Sequence, residues 1–447
     1  MNIVVVGAGA GGLAAALTLS RAGHRVTVLE RDTAEVPTRF EEAFTWARRG
    51  APQFHHSHVF LPRLRNTLRD RYPDVLAALA DHGVPEVSMA ALMGLDPDTP
   101  GAEDIVAIPC RRTTYEWVLR KVVTAGDSVQ IRNASVTGLT SETQGSGRPH
   151  VTGVSVKDGG RVAADLVVAS TGRRGDVPGW LAGIGIEVPE DSQESPATYA
   201  TRFYRLRDGA EPRPGGYRLG RYDGIGFGIF PADNDTHSVS LFVRPDDTAR
   251  RRRVLDAELF DEACAAVPEA APYVDADAVE AISAVNPMAG LINRLRTFTD
   301  NNGLPLVTGF AALGDAYMVT NPTYGRGCSL ATMQAVHLAD AVRDNAGDDV
   351  ALLQAYEAAA VSEIRPWYYL SVLADQVSAA QDRGGDLTLG SNVMPRASDA
   401  ATQLAFARVF SLLDPPDVLY RNPALTKLLT RPPPQPSTGV AHDGTAA

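Results

Sequence analysis

The stretch that decides the fold is residues 2–30, NIVVVGAGAGGLAAALTLSRAGHRVTVLE. Its β-branched apolar run from Ile3 to Val6 predicts a strand, and the alanine- and leucine-rich run after the glycines predicts a helix that ends near Gly23. A second strand is expected from Arg25 to Leu29, and Glu30 follows it directly. The segment therefore predicts a strand, a tight glycine turn, a helix and a second strand.

The glycines of this turn have separate mechanical roles. Gly7 permits the turn, Gly9 lets the backbone approach a pyrophosphate, and Gly12 lets helix and strand pack closely. The helix N-terminus offers free N–H groups and the positive end of its dipole to phosphates. Glu30 follows Gly12 by about 20 residues, where an acid that binds ribose hydroxyls and repels a 2′-phosphate is expected. The pattern favours a site for FAD or NAD over a glycine-rich turn of an ordinary α/β domain.

A second glycine cluster lies far downstream. A short apolar strand, Phe310 to Leu313, leads into Gly314 and Asp315, and residues 321–329 read NPTYGRGCS before a mostly small, apolar helix. We expect this second helix N-terminus to face an electron-rich group, with Asp315 accepting hydrogen bonds from hydroxyls. A phosphate-loop lysine is absent from this stretch.

Composition limits the classes of function. The chain has 447 residues, 44% hydrophobic and 21% charged, enough for two or three domains around a large core. Its formal charge of −11 disfavours nucleic acid and anionic lipid as partners. Three scattered cysteines fit a reducing, cytoplasmic location, and we expect no membrane segment or leader because no long apolar run appears.

Taken together, these elements resemble the FAD-dependent monooxygenases of the para-hydroxybenzoate hydroxylase fold. Residues 112–120, RTTYEWVLR, and 165–176, DLVVASTGRRGD, are similar to a helix and the middle strand of that family. Residues 49–58, RGAPQFHHSH, and the NPxYGxGxS element more closely resemble the actinobacterial polyketide epoxidases of polyether biosynthesis. The resemblance spans about residues 1–430 and is more specific to the fold than to the substrate.

The resemblance implies FAD as the cofactor and places individual residues around it. The implied cofactor-binding residues are Gly7, Gly9, Gly11, Gly12, Glu30, Arg31, Arg49, Arg112, Val136, Asp315, Gly325, Arg326, Gly327 and Cys328. Val136 would meet the adenine through its backbone, and residues 322–327 would pass the isoalloxazine ring. Backbone N–H groups of residues 325–327 would then stabilise negative charge on the reduced flavin.

A histidine-rich block, residues 39–65, follows the second strand. No acid lies between Glu42 and Asp70, and no HxxxH or CxxC spacing accompanies the block, so we expect no metal site. One interpretation is a loop whose histidines bond to backbone. The other, which we favour, places Gln53, His56 and His58 at the flavin or substrate cavity as hydrogen-bond donors. Together with Pro322, these three residues are the catalytic candidates.

The implied reaction is insertion of one oxygen atom from O₂, by epoxidation or hydroxylation, into a small hydrophobic secondary metabolite through a flavin hydroperoxide. The family's Asp-Gly pair is replaced by residues 170–173, STGR, so the electron donor stays open. Either NADH or NADPH binds directly or a separate flavin reductase supplies electrons. The alternatives are a C=C reductase or dehydrogenase of the geranylgeranyl-reductase type and a non-catalytic carrier. A halogenase is disfavoured because no lysine precedes Lys121 and a Trp-x-Trp-x-Ile-Pro element is missing.

The expected fold class is α/β: a discontinuous FAD-binding Rossmann-like domain of the GR2 type, an inserted antiparallel sheet and a C-terminal helical region. The predicted boundaries are 1–80, 103–190 and 285–345 for the FAD-binding domain, 81–102 and 191–284 for the substrate domain, 346–430 for the helical cap and 431–447 for a disordered tail. Strand alternation lets only half of the substrate sheet's aromatic residues face the cavity. The candidates for its wall are Phe203, Tyr204, Phe227 and Phe230.

Overall fold

The computed structural model describes residues 1–48, 50–143, 147–213, 215–380, 399–423 and 425. Arg49 and the expected tail at 431–447 lie outside the described residues. The strands are β1 (Asn2–Val6), β2 (Arg25–Glu30), β3 (Val87–Ser88), β4 (Val106–Ala107), β5 (Val129–Asn133), β6 (Val136–Thr143), β7 (Pro149–Val156), β8 (Arg161–Ala163), β9 (Leu166–Ala169), β10 (Glu190–Glu194), β11 (Thr198–Leu206), β12 (Arg218–Tyr222), β13 (Ile225–Pro231), β14 (Thr236–Val243), β15 (Val279–Ala281), β16 (Asn286–Met288), β17 (Ile292–Arg296), β18 (Phe310–Ala312) and β19 (Met318–Val319).

The α-helices are α1 (Ala10–Arg21), α2 (Pro62–Arg71), α3 (Pro73–Asp81), α4 (Arg112–Val123), α5 (Val177–Ala182), α6 (Thr248–Leu255), α7 (Phe260–Ala265), α8 (Gly327–Asp344), α9 (Asp349–Glu363), α10 (Arg365–Ala380), α11 (Ala400–Phe410) and α12 (Val418–Arg421). Short 3₁₀ helices are formed by Phe40–Thr45, Pro52–His55, Ala91–Met93, Ala271–Tyr273, Gly314–Ala316 and Pro322–Tyr324.

A five-stranded parallel sheet, in the order β18-β9-β1-β2-β5, forms the core of the molecule. Its central strand β1 is buried on both faces. Ile3 and Val5 pack in one apolar cluster with α1 and α8, and Val4 and Val6 pack in another with β7 and α10. This double burial explains why β1 is continuously apolar rather than alternating. The predicted α/β class, with a Rossmann-like parallel core and added antiparallel sheets, is confirmed.

The larger antiparallel sheet has the order β12-β13-β14-β11-β15, and β16 also pairs with β11. In its register Tyr199 opposes Phe242 and Thr201 opposes Ser240, so these four side chains share one face. Tyr204 lies on the opposite face, in an apolar cluster with residues of α6 and α7. The sheet thus has one face covered by helices and one turned toward the parallel core.

Three smaller sheets complete the described part of the chain: β10-β17-β19, β6-β7-β8 and the pair β3-β4. Helix α9 packs on α8, and α10 contacts both β17 and β19. Within the described ranges, no helix combines the length and the apolar character needed to cross a lipid bilayer.

Candidate cofactor and substrate site

A cavity of about 370 Å³ runs along the carboxyl edge of the parallel sheet. Strands β1, β2, β9 and β18 all end at this edge, because parallel strands share one direction. The residues that follow or close them line the cavity, namely Gly7, Glu30, Ser170 and Gly314. A ligand bound there would meet the edge where open α/β sheets commonly bind nucleotides.

The glycines of the first turn are required for different reasons. Gly7 has a φ of +107°, and a Cβ atom there would lie 2.3 Å from the Ser170 carbonyl oxygen. A Cβ on Gly12 would lie 1.8 Å from the Gly7 carbonyl oxygen, so Gly12 allows α1 to pack on the turn. Among the described residues, a Cβ on Gly9 would meet only Arg112 Nη2, at 3.9 Å, and the Gly9 position faces the open cavity. This open backbone fits the close approach of a pyrophosphate.

Arg112 connects the first turn with the second. Its Nε donates to Glu116 Oε1 at 2.7 Å, and its side chain lies in the cavity wall beside Gly9. Burial raises the pKa of Asp315 and of the Cys328 thiol, and the Arg112 charge opposes that rise in both groups. The two distant glycine clusters therefore meet around one guanidinium.

Most of the residues expected around the cofactor line this one cavity. They are Gly7, Gly9, Gly11, Glu30, Arg31, Arg112, Val136, Asp315, Gly325, Gly327 and Cys328, and the catalytic candidates Gln53, His56, His58 and Pro322 line it too. Gly12 packs behind the turn instead. Arg49 lies outside the described residues.

Arg326 is placed differently from the expectation. Its side chain does not line the cavity but lies between the rings of Tyr324 and Trp367, with the guanidinium carbon 4.8 and 5.1 Å from the ring centroids. Burial lowers its pKa to about 10. The Arg326 side chain is thus buried against α10, while Gly325 and Gly327 on either side of it line the cavity.

Arg48 is a cavity residue that the sequence did not single out. Its Nη2 donates to Glu30 Oε2 at 2.9 Å, and its Nη1 donates to Glu116 Oε2 at 2.8 Å and to the Ala8 carbonyl at 3.0 Å. It thereby ties the histidine-rich block to β2, to α4 and to the first turn. The arginine pair at 48 and 49 was a visible signal, but sequence alone does not tell that Arg48 points inward.

The histidines of the block are held neutral by burial. Burial lowers the pKa of His56 to about 4 and that of His58 to about 3, the latter with help from the Arg112 charge. The His58 Nδ1 lies 2.9 Å from the His56 carbonyl, which can only accept, so Nδ1 carries the proton and donates. The His58 Nε2 is then an acceptor, 3.5 Å from Arg112 Nη1. Among the described residues, no group of three or more His, Cys, Asp or Glu side chains is arranged to hold a metal ion.

A row of hydroxyls leads from His56 into the antiparallel sheet. Thr201 Oγ1 lies 3.3 Å from His56 Nδ1 and 2.6 Å from Ser240 Oγ. Ser57 Oγ lies 2.8 Å from Ser240 Oγ and 2.7 Å from Ser238 Oγ. These bonds satisfy polar groups that would otherwise be buried alone. They also join the histidine-rich block to β11 and β14.

A second cavity, of about 110 Å³, lies against the first. Its wall is mostly aromatic and aliphatic and includes Leu61, Met89, Leu92, Tyr199, Tyr217, Phe227, Phe230, Phe242 and Phe410. The two cavities share Ser57, Val59, Tyr199, Pro322 and Gly325. A planar group bound in the first cavity would thus face an apolar pocket across the 322–325 segment.

Two of the four aromatic candidates for this wall are corrected. Phe227 and Phe230 line the pocket, but Phe203 and Tyr204 do not. The Tyr204 hydroxyl donates to Asp261 on the helix-covered face, and Phe203 packs edge-on against Phe44. Tyr199 provides the aromatic wall from β11 instead. Strand alternation does not sort these residues: Phe203 shares a face with Tyr199 and Phe230 but lies outside the pocket. Phe227 shares the helix-covered face with Tyr204 and still reaches the pocket wall.

Comparisons with known proteins agree with this geometry. Residues 2–99 match the family model described as FAD binding domain. Protein Rv3254 of Mycobacterium tuberculosis is 28% identical over 365 residues, which cover 76% of this chain and 73% of that protein. The family match therefore indicates FAD as the cofactor.

Solved structures show the same fold. PqsL from Pseudomonas aeruginosa, described as a probable FAD-dependent monooxygenase, superposes with a TM-score of 0.60 at 17% identity over 91% of this chain and 99% of PqsL. OxyS, an anhydrotetracycline hydroxylase from Streptomyces rimosus, gives 0.62 at 19% identity over 93% of this chain and 76% of OxyS. The flavin-dependent brominase Bmp2 gives 0.62 at 16% identity over 92% and 94%. The chain thus has the fold of flavin-dependent oxidoreductases.

Proposed function

We propose that the protein is an FAD-dependent monooxygenase that inserts one atom of O₂ into a small, neutral, hydrophobic substrate. The observation that carries the proposal is the wall shared by the two cavities at Pro322 and Gly325. Reduced FAD supplies the activation of O₂ and the transfer of one oxygen atom. The chain supplies a nucleotide cavity on one side of this wall and an apolar pocket on the other.

The residues of the first cavity fit FAD from end to end. Gly9 and the N-terminus of α1 would hold the pyrophosphate, with Arg112 as its counter-charge. Glu30 would accept from the adenosine ribose. At the other end, Gly325 and Gly327 lie at the N-terminus of α8, an 18-residue helix whose positive end would stabilise negative charge on the reduced ring.

The second cavity favours an alkene over a phenol. Oxygen transfer to a phenol is helped by a base that removes the hydroxyl proton, whereas epoxidation of an electron-rich alkene needs none. Among the described residues of this wall there is no Asp, Glu, His or Lys to act as a base, and Arg221 is a cation that cannot accept a proton. Burial raises the pKa of both Tyr199 and Tyr217. His56, reached through the hydroxyl row, has too low a pKa to hold a proton near neutral pH. We therefore propose epoxidation, in line with the resemblance to polyketide epoxidases.

The test is oxygen labelling with the purified, yellow protein. Hydrophobic polyenes and matched phenols are incubated with NADH or NADPH under ¹⁸O₂, and products are analysed by mass spectrometry. We expect one ¹⁸O atom per product and a preference for the polyenes. A product that gains two hydrogens and no label would instead support the C=C reductase, and a protein that cannot be loaded with FAD would favour the carrier over any flavoenzyme.

The same incubations identify the electron donor. The cavity wall carries Arg173 and Arg174, at and directly after the 170–173 segment that replaces the family's Asp-Gly pair, so direct binding of an anionic donor is the arrangement we propose. Oxidation of NADH or NADPH without any added protein would support this arrangement. Dependence on an added flavin reductase would contradict it and leave oxygen insertion intact.

A further inference from the structure

The wall between the two cavities is held from behind by one buried carboxylate. Asp375 of α10 accepts hydrogen bonds at Oδ1 from Asn321 Nδ2 at 2.8 Å and from the Tyr324 hydroxyl at 2.9 Å. Its Oδ2 accepts from Asn293 Nδ2 at 2.7 Å. Asp375 is 5% exposed and Asn321 is 2% exposed, so water does not compete for these bonds.

These bonds fix the shape of the wall. Asn321 Oδ1 accepts from the Thr323 backbone N–H at 3.0 Å and from the Thr323 hydroxyl at 2.8 Å, and the backbone N–H of Asn321 donates to Asn293 Oδ1 at 2.8 Å. Asn321 and Tyr324 flank Pro322, which lines both cavities. A single side chain of the C-terminal region therefore anchors both sides of the short segment that would lie between flavin and substrate.

We propose that Asp375 is a positioning residue for the redox end of the flavin site, an inference that rests on the proposed FAD function. It acts through Asn321 and Tyr324 and touches neither cavity itself. A carboxylate is needed because three donors converge on two oxygens. An amide would direct its NH₂ group at one of those donors and leave that donor buried and unpaired.

The test compares Asp375→Asn with Asp340→Asn. Asp340 also accepts several donors, from Arg71 and Arg343, but it lies near the far end of α8, away from both cavities. FAD affinity, the visible absorption and circular dichroism of the bound flavin, and Tm are measured for each protein. We expect Asp375→Asn to weaken FAD binding about tenfold and to change the flavin spectra. Asp340→Asn should lower only Tm.

A second variant removes one link without altering the carboxylate. Tyr324→Phe keeps the ring that packs on Arg326 and deletes the hydroxyl, so it should show part of the spectral change and add little to it in the Asp375→Asn background. If Asp375→Asn does not fold, the FAD affinity and flavin spectra of Tyr324→Phe test the proposal on their own.

Two outcomes overturn the inference. Wild-type flavin spectra and FAD affinity in both Asp375→Asn and Tyr324→Phe, with only Tm reduced, would make Asp375 merely structural. A wild-type protein that cannot bind FAD would overturn this inference and the proposed function together. Normal FAD binding without incorporation of ¹⁸O would refute the proposed function alone.

Discussion

Gly7 and Gly9 stand two residues apart in the same turn and are glycine for different reasons. Any side chain on Gly7 collides with the backbone that follows β9. A Cβ on Gly9 would meet only Arg112 Nη2 among the described atoms, at 3.9 Å, and the Gly9 position lines the open cavity. Substitution at Gly9 therefore separates folding from cofactor binding, which substitution at Gly7 does not.

We predict that Gly9→Val yields a folded protein that lacks FAD. The Cβ of the valine would lie 3.9 Å from Arg112 Nη2, an ordinary van der Waals contact, and the side chain would occupy the space that a pyrophosphate needs. Flavin content is measured by absorbance after purification, and folding by circular dichroism and Tm. The matched control is Gly126→Val, since a Cβ there meets no described atom within 4 Å and the position is remote from the cavity. A full complement of FAD in Gly9→Val would remove the first turn from the cofactor site.

The segment from Pro52 to His58 places two neutral histidines, the buried His56 and the partly buried His58, between the first cavity and the antiparallel sheet. Its sequence has no helical or strand period, and the 3₁₀ turn it contains is stabilised by contacts to other parts of the chain, such as His56 to Thr201. Protonating either histidine would place a charge in a poorly solvated site. We therefore expect the stability of this segment to depend on pH.

We predict that the free energy of unfolding decreases as the pH falls below about 6.5, the ordinary pKa of histidine in an unfolded chain. Since the pKa is about 4 for His56 and about 3 for His58 in the folded protein, the unfolded state binds more protons between those values and 6.5. Stability is thus complete above pH 6.5 and is lost on acidification, at up to about 1.4 kcal/mol per pH unit for each histidine.

Urea unfolding at pH 7, 6 and 5 measures this slope. The slope reports the number of protons taken up on unfolding. In His58→Asn, whose amide can still donate to the His56 carbonyl, that number should fall by roughly one. In the double variant that also carries His56→Asn, the number of protons taken up on unfolding should fall by roughly two. An unchanged slope in both variants would show that other groups cause the acid sensitivity.

Elements with a strong local signal were predictable from sequence. The continuous apolar run of β1, the glycine turn and the small-residue helices α1 and α8 all lie where their patterns indicate. Contacts that depend on strand register were not predictable from sequence. Thr201 and Ser240 become neighbours only because β11 and β14 pair as they do, and alternation alone could not show that Tyr199, rather than Phe203, faces the pocket.

Asp375 shows the same difficulty over a longer distance. It lies in an ordinary helical stretch, and nothing near it in sequence marks it as a partner of Asn321 or Tyr324. Arg326, in contrast, sits inside a recognisable motif, yet its side chain packs on Trp367 instead of the cavity. A motif identifies the backbone path, while side-chain direction depends on what packs behind it.

At the scale of the whole molecule, the first cavity is built from segments that are distant in sequence. Its wall takes residues from the first turn, the histidine-rich block, α4, the segment after β9 and the second glycine cluster. A ligand that contacts all of them at once binds only the folded chain. FAD should therefore contribute to the stability of the entire structure.

We predict that FAD raises the Tm of the apoprotein, by an amount equivalent to about 2.7 kcal/mol when free FAD is 100 times its Kd. Riboflavin, which lacks the pyrophosphate and adenosine, should raise Tm much less, because it cannot reach both Gly9 and Glu30. Differential scanning fluorimetry with both compounds makes the comparison. Equal shifts from FAD and riboflavin would show that the adenine half of the cavity is not used.

The double role of Pro322 and Gly325 constrains how this protein could acquire new substrates. Replacing either residue to enlarge the pocket would also disturb the cofactor on its reverse side, so improvements in selectivity at these positions would be accompanied by losses in turnover. Leu219, Phe227 and Phe230 border only the apolar pocket. Directed evolution of selectivity should therefore begin at Leu219 and Phe230 of the β12–β13 hairpin, which line the apolar pocket and not the first cavity.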